Sequence, residues 1–168
     1  LGYMTEEQYE QLVNSDFVEQ AGHRRIIGYA SNTSSHSIEI NYADSVQQEL
    51  TFCVPTHGAA PEKANEIATT DLALKALGVE PKIGAAVPLE FELRGKTYHY
   101  DMVLSGWWEA SNDSVSVATV SEQFIKENPD VVQNTYAVDH EMSGVTFSDV
   151  VLKNKENVQQ QLNEFVYS

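Results

Sequence analysis

The sequence predicts an α+β domain built on a mixed sheet. Three observations lead there. Apolar residues alternate with polar ones in several short stretches, most clearly at 87–93 and 98–104. Helix-capping residues stand near both ends of the chain, at Thr5 and Asn154. Between them the middle of the chain is rich in strand patterns and punctuated by glycine and proline. A chain of 168 residues fits one domain, or one domain with two lobes.

Each element follows from its residues. Thr5-Glu6-Glu7-Gln8 has the capping-box pattern, and Tyr9, Leu12, Val13 and Phe17 continue at helical spacing. Residues 24–30 read as a strand, and Ser31-Asn32-Thr33-Ser34-Ser35 as a polar hairpin loop. Ile38, Ile40 and Tyr42 alternate with Glu39 and Asn41, as in a half-buried strand. Leu50, Phe52 and Val54 alternate likewise, which predicts another strand ending at Pro55. Residues 56–64 turn to Gly, Ala, Pro and charge, a loop composition, and 65–68 read as extended. Thr70 caps a helix that carries Leu72, Leu74, Ala76 and Leu77 and stops at Gly78.

The second half is read the same way. Val87, Leu89, Phe91 and Leu93 face Tyr98, Tyr100, Met102 and Leu104 across a turn assigned to Gly95-Lys96. Val115 and Val117 mark a strand. Ser121 caps a short helix with Phe124 and Ile125, stopped by Asn128-Pro129. Residues 133–142 read as a strand. Asn154 then caps a last helix with Val158, Leu162, Phe165 and Val166 on one face. The expected organisation is a mixed-sheet α/β lobe from 1–54 and 130–168, carrying the helices of both ends. Residues 55–129 form an inserted β-rich lobe.

Composition narrows the function. Ten Lys and Arg against 25 Asp and Glu give a net charge of −15. Such a surface opposes nucleic acid, which needs cations to displace its counterions, and it opposes anionic lipid. A single cysteine, Cys53, allows neither an internal disulfide nor a CxxC site. No run approaches the ~18–20 apolar residues of a membrane span. Leu1-Gly2-Tyr3-Met4 has no basic stretch leading into an apolar one, so no signal peptide is expected, and a start without Met reads as an excised or processed piece.

Candidate chemistry is sparse. His23, His36, His57, His99 and His140 form no pair at i+2 or i+4, so no metal clip is read. His99 with Asp101, and Asp139 with Glu141, share strand faces, but two ligands do not make a site. GxSxG, GxxxxGK[ST] and GxGxxG are all missing. Cys53 lacks an evident base and reads as a packed or edge cysteine. Most carboxylates open helices, where they favour the positive end of the dipole. Asn112-Asp113-Ser114 lacks the spaced oxygens of a calcium loop, and His23-Arg24-Arg25 is a small basic island balanced by nearby acids. No catalytic, cofactor or metal residue is assigned. Trp107 and Trp108 are the candidate partner contacts. Adjacent strand residues face opposite ways, so one indole belongs in the core and the other on the surface.

At this point the sequence resembles a family. Gly58 and Pro61 lie in a loop, followed by Asn65-Glu66-Ile67-Ala68, a helix ending at Leu77-Gly78, then Lys82-Ile83-Gly84. An extended hairpin over 87–103 then closes on Leu104-Ser105-Gly106. In this order the elements resemble the extracytoplasmic core domain of MacB/FtsX-like ABC transporter permeases. The 115–124 and 133–166 segments resemble the elements that follow in that family. Trp107-Trp108 departs from it, because a small aliphatic residue commonly follows the glycine there.

The resemblance implies a MacB-like periplasmic core fold, on the outer side of the cell membrane, with the 1–54/130–168 lobe nearer the membrane. It implies a non-catalytic role, relaying ATP-driven motion of the permease's membrane helices to an external peptide, lipoprotein or small-molecule substrate. It further implies a cognate cytosolic ATPase as partner, leaves room for a homodimer, and involves no nucleic acid and no cofactor. The alternative reading is a free-standing secreted or cell-surface binding module that uses Trp107 or Trp108.

Overall fold

The structure is a computed structural model that describes residues 3–111, 115–131 and 145–155. In chain order the elements are β1 (Met4–Thr5), α1 (Glu6–Val13), β2 (Val18–Tyr29), β3 (Ser37–Ala43), α2 (Ser45–Leu50), β4 (His57–Gly58) and β5 (Glu66–Thr70). They continue with α3 (Asp71–Ala76), β6 (Ala86–Leu93), β7 (Lys96–Trp108), β8 (Val115–Val120), α4 (Glu122–Glu127), β9 (Val145–Phe147) and β10 (Asp149–Asn154).

Eight strands make one mixed sheet in the order β10-β2-β3-β8-β5-β7-β4, with β6 paired to β7. The β3–β8 and β5–β7 pairs are parallel and the others antiparallel. A second small sheet joins β1 to β9. The large sheet curls until its members meet. Ala30, just past β2, bridges Phe91 of β6, and the Ser31 N–H donates to Glu90 O at 2.8 Å. The Asn32 side-chain amide adds a bond to Pro88 O at 2.9 Å. Strands β6, β7, β5, β8, β3 and β2 thus form a nearly closed ring.

The ring exists because alternation gives each strand one apolar face and the curl turns those faces inward. Ile40, Phe91 and Leu104 are fully buried inside it, and Leu74 of α3 and Phe124 of α4 plug it. Each such side chain contributes about 1.5–3 kcal/mol by leaving water. One core therefore spans both expected segments, 1–54 and 55–129. They meet at the β3–β8 pairing and at the Ala30–Phe91 bridge.

Local chemistry explains the helix starts. Thr5 Oγ1 accepts the Gln8 N–H at 3.1 Å while Gln8 Oε1 accepts the Thr5 N–H at 3.0 Å, the capping box expected there. Thr70 and Ser121 cap α3 and α4 through the N–H groups of Ala73 and Phe124.

Two expectations need correction. The strand predicted around Leu50, Phe52 and Val54 is instead the end of helix α2 and a turn. Asp44 caps α2 by accepting the Gln47 N–H at 2.8 Å. The helix then closes with Cys53 N–H donating to Gln48 O at 2.8 Å and Phe52 N–H to Glu49 O at 3.3 Å. This is the 6→1, 5→2 pattern of a Schellman end. Three alternating apolar residues were too few to outweigh a cap and a helical turn of Gln and Glu. The hairpin turn is Arg94-Gly95, not Gly95-Lys96: Leu93 pairs with Lys96, and φ is 51° at Arg94 and 77° at Gly95. Asn154 is the last residue of strand β10, and the helix it was expected to cap falls outside the described residues. The strand over 133–142 lies outside them too.

Candidate functional site

Residues 55–59 form a strap along the edge of β7. Thr56 N–H donates to Trp107 O at 3.1 Å, Ala59 N–H to Ser105 O at 2.9 Å, and Ser105 Oγ back to Ala59 O at 2.9 Å. Gly106 lets the strap come this close, because a Cβ there would sit 2.5 Å from Ala59 O and 2.9 Å from Pro55 Cβ. The glycine closing the hairpin thus permits a close backbone approach.

The two tryptophans take different places. Trp108 is buried, at 5% exposure, so the core indole is this one. Trp107 is half-buried, and the His57 imidazole lies flat on it, with centroids 3.9 Å apart and planes at 7°. His57 itself is exposed. The outward aromatic feature is therefore an imidazole–indole stack rather than a bare indole. Ile83, 48% exposed, leans on the same strap: a Cβ on Gly58 would lie 2.6 Å from Ile83 Cδ1.

The opposite face of β3 holds a polar cluster that sequence reading missed. Glu39 and Asn41, read as solvent-facing, are 6% and 2% exposed. Arg24 Nη1 donates to both Glu39 carboxylate oxygens, Arg24 Nη2 lies 3.5 Å from Asp149, Asn41 donates to Glu39 at 2.7 Å, and Thr119 donates to Asn41 at 3.0 Å. A charge-matched strand pair was the available signal, and it needed the β2–β3 register to be seen. The cluster borders a cavity of about 110 Å³ shared with Gln47 and Cys53.

Cys53 is half-buried there, and its thiol donates to Thr51 O at 3.4 Å. Burial pushes the Cys53 thiol up, against a smaller downward pull from the Thr51 hydrogen bond. Its partner is a carbonyl, not a base, so the arrangement does not activate a nucleophile.

His23 joins α1 to the sheet. Its ring packs against Tyr9 (5.2 Å) and Phe147 (4.2 Å), and Nε2 lies 3.3 Å from Asp44 Oδ2. Burial lowers its pKa, and the Asp44 carboxylate opposes that shift. Arg25 sits over Phe147 at 5.4 Å and reaches Glu6 at 4.0 Å. The basic island is thus matched to acids. His99 is exposed, 3.1 Å from Asp101 and 4.0 Å from Glu90, a solvated hairpin face. Among the described residues no three His, Cys, Asp or Glu side chains converge as a metal site. His140, Asp139 and Glu141 lie outside them. An open apolar groove of about 460 Å³ runs between Tyr3, Tyr29, Gly28 and Leu93, with Glu92 at its side.

A curled mixed sheet plugged by short helices is an α+β fold that a solved extracellular domain shares. The crystal structure of the extracellular domain of the noncanonic ABC-type transporter YknZ, from Gram-positive bacteria, superposes with a TM-score of 0.59 at 15% identity, covering 96% of this chain and 78% of that one. This shows a shared fold. The periplasmic region of MacB from Actinobacillus actinomycetemcomitans is similar at a TM-score of 0.39 and 11% identity, covering 97% of this chain and 84% of that one. No family model matches the chain, and no curated protein matches it in sequence.

Proposed function

We propose that this chain is a non-catalytic extracytoplasmic domain of an ABC transporter permease. In this reading it passes ATP-driven motion of membrane helices to an external peptide, lipoprotein or small-molecule substrate. The observation that carries the reading is the fold shared with the YknZ extracellular domain along nearly the whole chain. A second fact supports it. The strand at residues 4–5 pairs with 145–147, and Lys155 N–H donates to Phe17 O at 2.9 Å, so the first and last described segments run side by side. A domain set between two neighbouring membrane spans needs that arrangement. The partners are then the permease's own helices and a cytosolic ATPase.

The relay's moving part is the seam at the Ala30–Phe91 bridge, where the 1–54 with 130–168 lobe meets the 55–129 lobe across their shared core, and the 1–54 lobe lies toward the membrane. The two lobes also touch through the β3–β8 pairing. The His57–Trp107 stack is the partner contact on the far lobe, and Trp108 supports it from the core. A Ser31→Cys/Glu90→Cys cross-link in the full permease, made with Cys53→Ser, tests the relay. Transport that stops on oxidation and returns on reduction is the expected result. Unchanged transport with the link formed would sink the relay. External labelling of Thr56→Cys by a membrane-impermeant maleimide in intact cells tests the location, and protection of that thiol until lysis would reject it.

A further inference from the structure

We infer that Phe52 is the anchor of a docking surface for another protein, one that presents an apolar pocket ringed by Lys or Arg. This goes beyond the proposed function and does not depend on it.

Phe52 carries two costs at once. It is 86% exposed, and its backbone is left-handed, with φ of 58°. It stands just past α2, at the position of a Schellman end where glycine is usual because any Cβ is strained. Strain of this kind marks sites of function. A glycine would close the same helix more cheaply and would expose nothing apolar.

The chain segment that carries Phe52 has the composition of an interface. No Asp, Glu, Lys or Arg occurs between Glu49 and Glu62, although 21% of the chain is charged. Depletion of charge around aromatic anchors marks the centre of protein interfaces. Within that stretch Val54 is 48% exposed, and the strap then runs to His57 on Trp107 and to Ile83, also 48% exposed.

Charge selects the occupant. Glu49 and Glu62 bracket the apolar run on a chain of net charge −15. Anionic lipid would be repelled, and so would a second copy of the same surface. A basic rim around an apolar pocket complements it.

The test places a benzoylphenylalanine photo-cross-linker at position 52 of the full chain in its native cells. The expected adduct maps to one protein, in an apolar segment flanked by Lys or Arg. That purified protein should bind wild type at least tenfold more tightly than F52G or F52N, and binding should weaken as salt rises. Both variants should melt no lower than wild type, which separates lost contact from lost fold. Adducts to lipid, adducts to a second copy, no adduct at all, or equal binding by F52G would each overturn the assignment.

Discussion

Arg24 grips Glu39 through a single nitrogen: Nη1 lies 3.1 Å from one carboxylate oxygen and 3.0 Å from the other. The Glu39 side chain is 9% exposed and that of Arg24 28%. Removing one partner strands the other in a poorly solvated site, which costs about 3–5 kcal/mol in fully buried pairs. Arg24 retains some solvent, so Arg24→Ala should fall at the low end, about 3 kcal/mol by urea denaturation. Arg24→Met/Glu39→Met should be milder than the sum of its single changes. Additive losses would show that the pair is not coupled.

Helix α2 rests directly on strand β2 at Gly22. A Cβ there would lie 2.8 Å from Gln47 Cα and 2.9 Å from the Val46 carbonyl carbon, both of them backbone. A helix backbone cannot swing aside as a side-chain tip can. Gly22→Ala should therefore cost about 2–3 kcal/mol, in the range of overpacked cores. The urea midpoint reads it, and a change within error would mean that α2 is not seated there.

These two contacts also show where sequence reading succeeds and where it stops. Thr5, Thr70 and Ser121 were legible as caps because a cap is decided within four residues. The 87–104 hairpin was legible because long alternation has one interpretation. The 50–54 segment was not, since Leu50, Phe52 and Val54 fit a strand and a helix end equally well until Asp44 and Gly22 are placed beside them. Burial of Glu39 and Asn41 depends on partners from β2, β8 and β10, contacts distant in sequence. Of the candidate site, the half-buried place of Trp107 depended on His57, which reaches it only once β4 pairs with β7.

Arg94 occupies the first central position of the hairpin turn with φ of 51°, followed by Gly95 at 77°. Asn tolerates this region far better than Arg, and Asn-Gly is the favoured pair for such a turn. Arg94→Asn should stabilise the chain by about 1 kcal/mol. Thermal denaturation reads the gain, and a loss would mean that Arg94 holds contacts worth more than its backbone strain.

The Cys53 thiol, raised by burial, should be a poor nucleophile at neutral pH. Iodoacetamide should modify it more slowly in the folded chain at pH 7.5 than in the urea-unfolded chain. Faster reaction in the folded state would reveal an activated thiol and reopen an enzymatic reading.

His23 gives the fold a pH-dependent seam. Burial between Tyr9 and Phe147 holds its pKa below 6.5, and Asp44 offsets only part of that. Above pH 6.5 the imidazole is neutral in both the folded and the unfolded chain, and it adds no pH dependence. As pH falls through 6.5 the unfolded chain takes up a proton that the folded one resists, so stability drops until the lower folded pKa is reached. Glu6 from α1, Glu122 from α4 and Arg25 and Asp44 from the sheet side all act on this ring, and the many carboxylates add their own pH dependence. The useful quantity is therefore a difference. Between pH 7 and pH 5 the urea midpoint of wild type should fall more than that of His23→Gln. Hydrogen exchange should place the loosening in residues 6–13, where Tyr9 donates to Ala21 O at 3.2 Å. Equal pH slopes for the two proteins would show that His23 is protonated as easily in the folded chain as in the unfolded one.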